Sequence, residues 1–462
     1  MRGFLSSSTG VAACAALVLP LSLSAGALAA PAHSDRPVPP AHPVEAGRAG
    51  PPNVAVPDAP DAPGTPGTTG TPGTPGVPDV PDVPGVTQSL PIPAAPDSPA
   101  TRTIAPNARE RTLHQREVQP FSLVGVVWED AGSDLHGTVQ VRTRDVRTGA
   151  WSGWQDLETH TADHGADPGS AEGASGRLRG ATAPLWVGAS DGVEVRVRPE
   201  GAAHAGEGEA APLPRGLRLE LVDPGEAPTP ADPGPAPGPR AFAPAAADEG
   251  GAAPRDATAK YVGPRPSIVT RKNWGADESL REGGFAYTST VKAAFVHHSS
   301  TGNNYTCKQA PSVLRGIYRY HVVSSGWRDF GYNFAIDKCG TIYEGRAGGV
   351  TKAVLGAHTL GFNSNTMGVA VLGTFTGTNP PAAVQTAISR LTAWKLGLFG
   401  RNPAGKVTLT SGGSGKYKKG RNVTFGVIAG HRDGVSTDCP GTRLYNKLGS
   451  IRTAAAKYQG RP

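Results

Sequence analysis

Apolar and polar residues alternate in several short stretches between positions 113 and 223. Val139 and Val141 interleave with Gln140 and Arg142, Val193, Val195 and Val197 with Glu194, Arg196 and Arg198, and Leu217, Leu219 and Leu221 repeat the pattern. A period of two belongs to a strand with one face buried, and Gly/Asp turns between such strands predict a small antiparallel β-sandwich over 113–223. Beyond 264 the texture changes. Apolar runs predict strands near 293–297, 333–337, 341–346, 354–358, 366–374 and 425–431, with helices near 311–324, 381–399 and 442–458. Val384, Ala387, Ile388, Leu391 and Leu398 keep the three-four spacing of a helix laid on a sheet, and Pro381 stands where a helix start tolerates it. The reading for 264–460 is an α/β domain with a central mixed sheet flanked by helices.

Composition changes this picture at the front of the chain. Gly and Pro number 62 and 45 in 462 residues, concentrated in tracts with too few large apolar side chains to bury a core. Residues 30–112 and 224–263 therefore read as disordered linkers. Glycine recurs every third residue between Gly64 and Gly76, but so few triplets could not hold a collagen helix. At the start, Arg2 precedes an apolar stretch from Val11 to Leu28 that is interrupted by Pro20, and Ala27-Leu28-Ala29 offers a small-residue cleavage site. This predicts a removable signal peptide over 1–29 rather than a membrane anchor, and a secreted or wall-associated protein. Cys14 lies ahead of the apolar core, not after it as lipidation would need.

The overall charge of +7 is unevenly spread, with 27 Lys/Arg against 8 Asp/Glu from Lys260 onward. A basic domain attracts polyanions. In an exported protein that points to anionic wall polymer and away from nucleic acid; Lys416, Lys418 and Lys419, in a Gly/Ser-rich loop, are solvated or touch such a polymer.

The chemistry gathers in 427–440, VIAGHRDGVSTDCP, where a strand end and its following loop carry His431 and Cys439. Imidazole and thiolate are preferred zinc ligands, and a catalytic zinc takes three protein ligands plus an open position. The strand near 293–297 ends in His297, which completes a proposed set of His297, His431 and Cys439. His298 should face the other way, because neighbouring strand residues alternate sides. Asp433 is a turn former or an acceptor behind His431, and His321 reads as a packed histidine.

Four segments in order, FVHHSS at 295–300, GWRDFGYNFAID at 326–337, GTIYEGR with LGAHTLGFN between 340 and 363, and AGHRDGVSTDCPG at 429–441, resemble the zinc-dependent N-acetylmuramoyl-L-alanine amidases. That family includes the peptidoglycan recognition proteins and the phage amidase lysozymes, and the resemblance covers roughly the last 200 residues. It implies that Tyr332 is catalytic, donating to an oxyanion or orienting water, and that His358, Asn363 and Arg346 meet substrate, Arg346 through a carboxylate. Thr437 stands where phage enzymes carry lysine and ligand-cleaving recognition proteins carry threonine, which leaves Asp438 or water as proton donor.

Three cysteines remain after signal removal. Cys307 and Cys339 flank one predicted helix while Cys439 sits in the ligand loop, so Cys307 is paired with Cys339, a bridge contributing on the order of 3 kcal/mol. Trp151 and Trp154 fill the sandwich core or, less simply, stack on sugars. The leading function is zinc-assisted hydrolysis, by a monomer, of the amide between the N-acetylmuramic acid lactyl group and L-alanine of peptidoglycan. A peptidoglycan receptor or wall-attachment protein without turnover is the alternative, although non-catalytic relatives commonly lose the cysteine. A thiol enzyme using Cys439 as nucleophile would need a further dedicated histidine base.

Overall fold

Six residues inside a stretch whose composition reads as linker, VTQSLP, form β1 (Val86–Pro91). The computed structural model describes residues 84–93, 110–159, 163–201, 211–226 and 260–462. The expected signal at 1–29 and most of the tracts 30–112 and 224–263 lie outside them. β1 corrects the linker boundary: it pairs antiparallel with β7 (Arg218–Asp223), from Val86 opposite Asp223 to Pro91 opposite Arg218. Its flanking prolines hide it in any composition window. Its register with β7 fixes Leu90 opposite Leu219 at the margin of the core.

The remaining strands of this module are β2 (Arg111–Trp128), β3 (Gly137–Asp145), β4 (Gln155–Leu157), β5 (Gly180–Ala181) and β6 (Leu185–Pro199). They make one antiparallel sheet in the order β1-β7-β2-β6-β3-β4, with β5 on β2. Val139, Val141, Val193, Val195 and Val197 are all buried, as their alternation requires. The alternation ends in β2, where 123–128 is buried on both faces because the second face packs on the C-terminal domain. Trp151 and Trp154 are not in the core, contrary to the favoured reading. They are half-buried, with Arg142 over both rings and Arg196 4.0 Å from the Trp154 centroid. Guanidinium groups on the strand face offered a cation–π cover that the core did not.

The C-terminal domain begins with the short α1 (Arg271–Trp274) and β8 (Ala293–His298). α2 (Ala310–Arg319) runs into a π-helical turn, Tyr320–Ser324, so the single expected helix over 311–324 changes its winding where Tyr320 plugs into the first module. Next come β9 (Phe334–Ile336), β10 (Ile342–Glu344), β11 (Thr366–Val371), α3 (Ala382–Leu398), β12 (Lys406–Thr410), β13 (Asn422–Gly426), β14 (Ile428–Gly430), α4 (His431–Gly434), α5 (Thr442–Tyr445) and α6 (Leu448–Tyr458). The strand expected over 354–358 is only a bridge between Val354 and Tyr287. The basic loop 410–420 links β12 to β13, with Lys416 Nζ donating to the Arg432 carbonyl at 2.6 Å.

The central sheet has the order β10-β9-β11-β8-β14, parallel except for β10. α3 and α6 cover one face with Val384, Ile388, Leu391 and Ile451, each large apolar side chain contributing roughly 2 kcal/mol on full burial. α2 covers the other. Its cluster, including Leu314 and Ile317, is continuous with Leu123, Val127, Trp186 and Val222 of the first module. The Tyr320 hydroxyl donates to the carbonyls of Val126 and Thr182, and Ser324 to Glu220. Cys307 and Cys339 form a disulfide that ties the start of α2 to the β9–β10 turn.

Candidate metal centre

β8 and β14 are parallel neighbours, so their C-terminal ends open at the same edge of the sheet, where α/β folds collect their chemistry. His297 is the penultimate residue of β8 and His431 directly follows β14 as the first residue of α4. The loop beyond α4 returns Cys439 to them, its Sγ 3.8 Å from His297 Nδ1. A tetrahedral zinc with ordinary bond lengths holds N and S about 3.5 Å apart. All three side chains are buried.

The proton placement fits a cation. His431 Nε2 lies 3.3 Å from the Asp163 carbonyl, which can only accept, so Nε2 carries the hydrogen and Nδ1 keeps its lone pair. That Nδ1 is buried with no hydrogen-bond partner. Burial, reinforced by neighbouring imidazoles, pushes both ligand histidines well below their ordinary pKa, which keeps them in the neutral ligating form. Burial also pushes the Cys439 thiol up, while the amide of His298 donates to its sulfur at 3.4 Å, ready to stabilise a thiolate. The residues fit zinc, and loading it would expel the thiol proton.

Supporting groups separate cleanly. Asp433 accepts from the Gly430 amide and the Tyr445 hydroxyl, so it braces the loop and does not touch His431. His298 turns away to Ser300 and the Phe375 amide. His321 stacks on Trp327. The Thr437 hydroxyl accepts from the Cys439 amide at 3.3 Å and lines a cavity of about 310 Å³ beside the centre, shared with Tyr332, Trp327 and Cys439. Tyr332 lies with its ring 5.1 Å from that of His297, and burial, then the nearby Cys439, keeps its phenol protonated.

Of the three residues expected to meet substrate, Arg346 and Asn363 are occupied by other parts of the chain, while the Nε2 of His358 is buried without a hydrogen-bond partner. His358 lies behind His297, buried, its Nδ1 2.9 Å from Thr359 Oγ1. Arg346 and Asn363 bind a loop of the first module, residues 163–172, for which the strand pattern predicts nothing specific. Arg346 makes a buried bidentate pair with Glu172, 2.7 and 3.0 Å, and Asn363 donates to the Gly165 carbonyl and to Asp167. In this loop His164 reaches the centre. Its ring lies 4.2 Å from that of His431, its Nδ1 lies 3.1 Å from the Tyr332 hydroxyl, and desolvation lowers it to about 4. His164, His297, His431 and Cys439 each offer one ligand atom, all within 4.8 Å of one another. Only the loop's acidity, with Asp163, Asp167 and Glu172 ahead of a basic domain, could have hinted at this contact.

Fold and site together define a class: a mixed sheet with two histidines and a cysteine at its carboxyl edge, the class a family model described as N-acetylmuramoyl-L-alanine amidase matches over 287–442. Residues 78–230 match the model described as Rv3811 N-terminal galactose-binding domain-like. Peptidoglycan-recognition protein SC2 of Drosophila simulans is 33% identical over 184 residues, covering 39% of this chain and 84% of the relative. The chain belongs to the peptidoglycan-recognition protein and amidase family. The human N-acetylmuramoyl-L-alanine amidase is 30% identical over 204 residues, 43% of this chain and 30% of that protein. Among solved structures, Drosophila PGRP-LB wild-type aligns at 26% identity and a TM-score of 0.32, covering 40% of this chain and 93% of that one.

Proposed function

We propose that the chain is a secreted zinc hydrolase that cleaves the amide between the N-acetylmuramic acid lactyl group and L-alanine in peptidoglycan. The observation that carries this reading is the convergence of His297, His431 and Cys439 beside Tyr332, with the His431 Nδ1 lone pair left without a partner. The human amidase, similar over the same domain, supports the substrate class.

His297, His431 and Cys439 would hold zinc, which when bound would supply Lewis acidity and a water of lowered pKa. The chain's residues do the rest. Burial keeps the Tyr332 phenol protonated, so it is a donor at neutral pH for the oxyanion that forms as the amide carbon becomes tetrahedral. Thr359 stands 3.5 Å from His297 Nε2 and 2.9 Å from His358 Nδ1, which fixes the ring plane of the ligand. Thr437, a neutral hydroxyl facing the cavity, can hydrogen-bond the departing amine but brings no charge to it.

The test measures metal content of the purified chain and the release of new amino termini from purified wall. One zinc per chain is expected, and Cys439→Ser should lose zinc with the fold retained by circular dichroism, and with the zinc any release seen once the 163–172 loop is loosened. Full metal content in that variant would remove Cys439 from the ligand set. Zinc without release, in the native chain and in chains whose 163–172 loop is loosened, would favour a receptor instead.

A further inference from the structure

The loop 163–172 does more than join two modules. We propose that His164 is a fourth protein ligand of the metal centre and that the loop is a tethered occupant of the substrate groove, so that the chain as folded is latent. This rests on the zinc-hydrolase reading above for its consequence, but not for its geometry.

Four independent contacts bear on it. His164 Nδ1 shares a hydrogen bond with the Tyr332 hydroxyl, and the residue offers one ring nitrogen to the ligand cluster; in the tautomer that donates to the phenol from Nδ1, Nε2 holds the lone pair a cation needs. The Asp163 carbonyl accepts from the Leu360 amide at 3.0 Å and faces His431 Nε2. Asp167 accepts from the Gly361 amide at 2.7 Å and from Asn363 at 2.9 Å. Glu172 accepts from both terminal nitrogens of Arg346 and from the Arg328 amide at 3.1 Å. The loop thus covers the metal-ligand cluster, the tyrosine and two donors on either side of the cleft.

Structural packing alone does not call for this set. Burying a carboxylate against a guanidinium gains little over apolar packing of the same shape, even though breaking such a pair is costly, so stability alone does not explain an ion pair whose side chains are 4% and 7% exposed. A zinc with four protein ligands is of the closed, structural kind, whereas turnover requires one position open to solvent or substrate. Glu172 fills Arg346 with a carboxylate, the kind of group that guanidinium is expected to take from substrate. Activation therefore means withdrawing the loop, with the groove and the fourth position freed in one movement.

The experiment uses the full chain, loaded with cobalt(II) or zinc, and compares it with His164→Ala and, should that variant fold poorly, Glu172→Gln. Acetohydroxamate, a small metal-seeking probe, is added to the cobalt forms while their visible spectra are followed. The native spectrum should stay unchanged and that of His164→Ala should shift. Zinc loss to a chelator should be at least about tenfold faster in His164→Ala. Release of amino termini from wall should rise in both variants. A native spectrum that responds to the probe as the variant does, with equal zinc loss, would overturn the closure. Closed spectra with no release from any variant would leave the fourth ligand standing and sink the hydrolase reading instead.

Discussion

Glu172→Gln isolates the electrostatic clasp of the loop. The substitution keeps the side chain's shape and one carbonyl acceptor but removes the charge facing Arg346, whose other bonds run to the Phe330 and Leu355 carbonyls. Burial opposes charge on Glu172, and the Arg346 charge, with hydrogen bonds from Arg346 and the Arg328 amide, outweighs it, so the carboxyl sits below its ordinary range. Because both partners are buried, solvent screens little of the loss, and stranding one charge of such a pair costs about 3–5 kcal/mol. The retained carbonyl places the expected value near the bottom of that range, about 3 kcal/mol, or roughly a hundredfold in the docking equilibrium. Hydrogen exchange reads it directly. The Leu360 and Gly361 amides, which donate to Asp163 and Asp167, should exchange roughly a hundredfold faster, while the α3 core amides should not change. Exchange at Leu360 and Gly361 within about threefold of the native rate would refute the idea that this pair holds the loop down.

Three further outcomes follow from single features. Tyr332→Phe, made together with His164→Ala so that the loop does not mask the result, should keep zinc and lose roughly a hundredfold in turnover; an undiminished rate would remove the phenol from catalysis. Gly125→Val places a side chain in the ring of Tyr320, so the modules should lose about 1–3 kcal/mol of mutual stability, seen as a lower or split thermal transition; an unchanged melt would show that the interface yields. Lys395, with Nζ donating to the Val350 and Lys352 carbonyls, is lowered by burial to about 7. The unfolded chain then binds the extra proton between about pH 7 and 10.5, so this group makes the native state gain stability as pH rises through that window. Lys395→Met should flatten the rise, and an identical slope in chemical denaturation would refute it.

Legibility divided along local and long-range lines. The burial of β6 and α3 could be read from periods of two and three-four, since each side chain meets its own element's partner face. The opposed directions of His297 and His298 followed from strand parity alone. The convergence of His297 with His431 and Cys439 required the ordered motifs, because no spacing rule joins residues carried by separate strands and a loop. His164 was out of reach. It sits 168 positions from Tyr332 in a Gly/Asp stretch with no hydrophobic period, and such a stretch looks the same whether it ends in solvent or in a neighbouring domain. Arg346 and Asn363 are expected to meet substrate, and the carboxylate and carbonyl they bind in the structure belong to their own chain.

The Asp163 carbonyl orients the ring of His431 from the blocking loop itself. A chain whose loop has swung out must hand that ring to water, which grips it less firmly, so the working form would surrender its ion sooner than the resting one. On the proposed reading, freeing the substrate groove and keeping the metal would thus pull against each other.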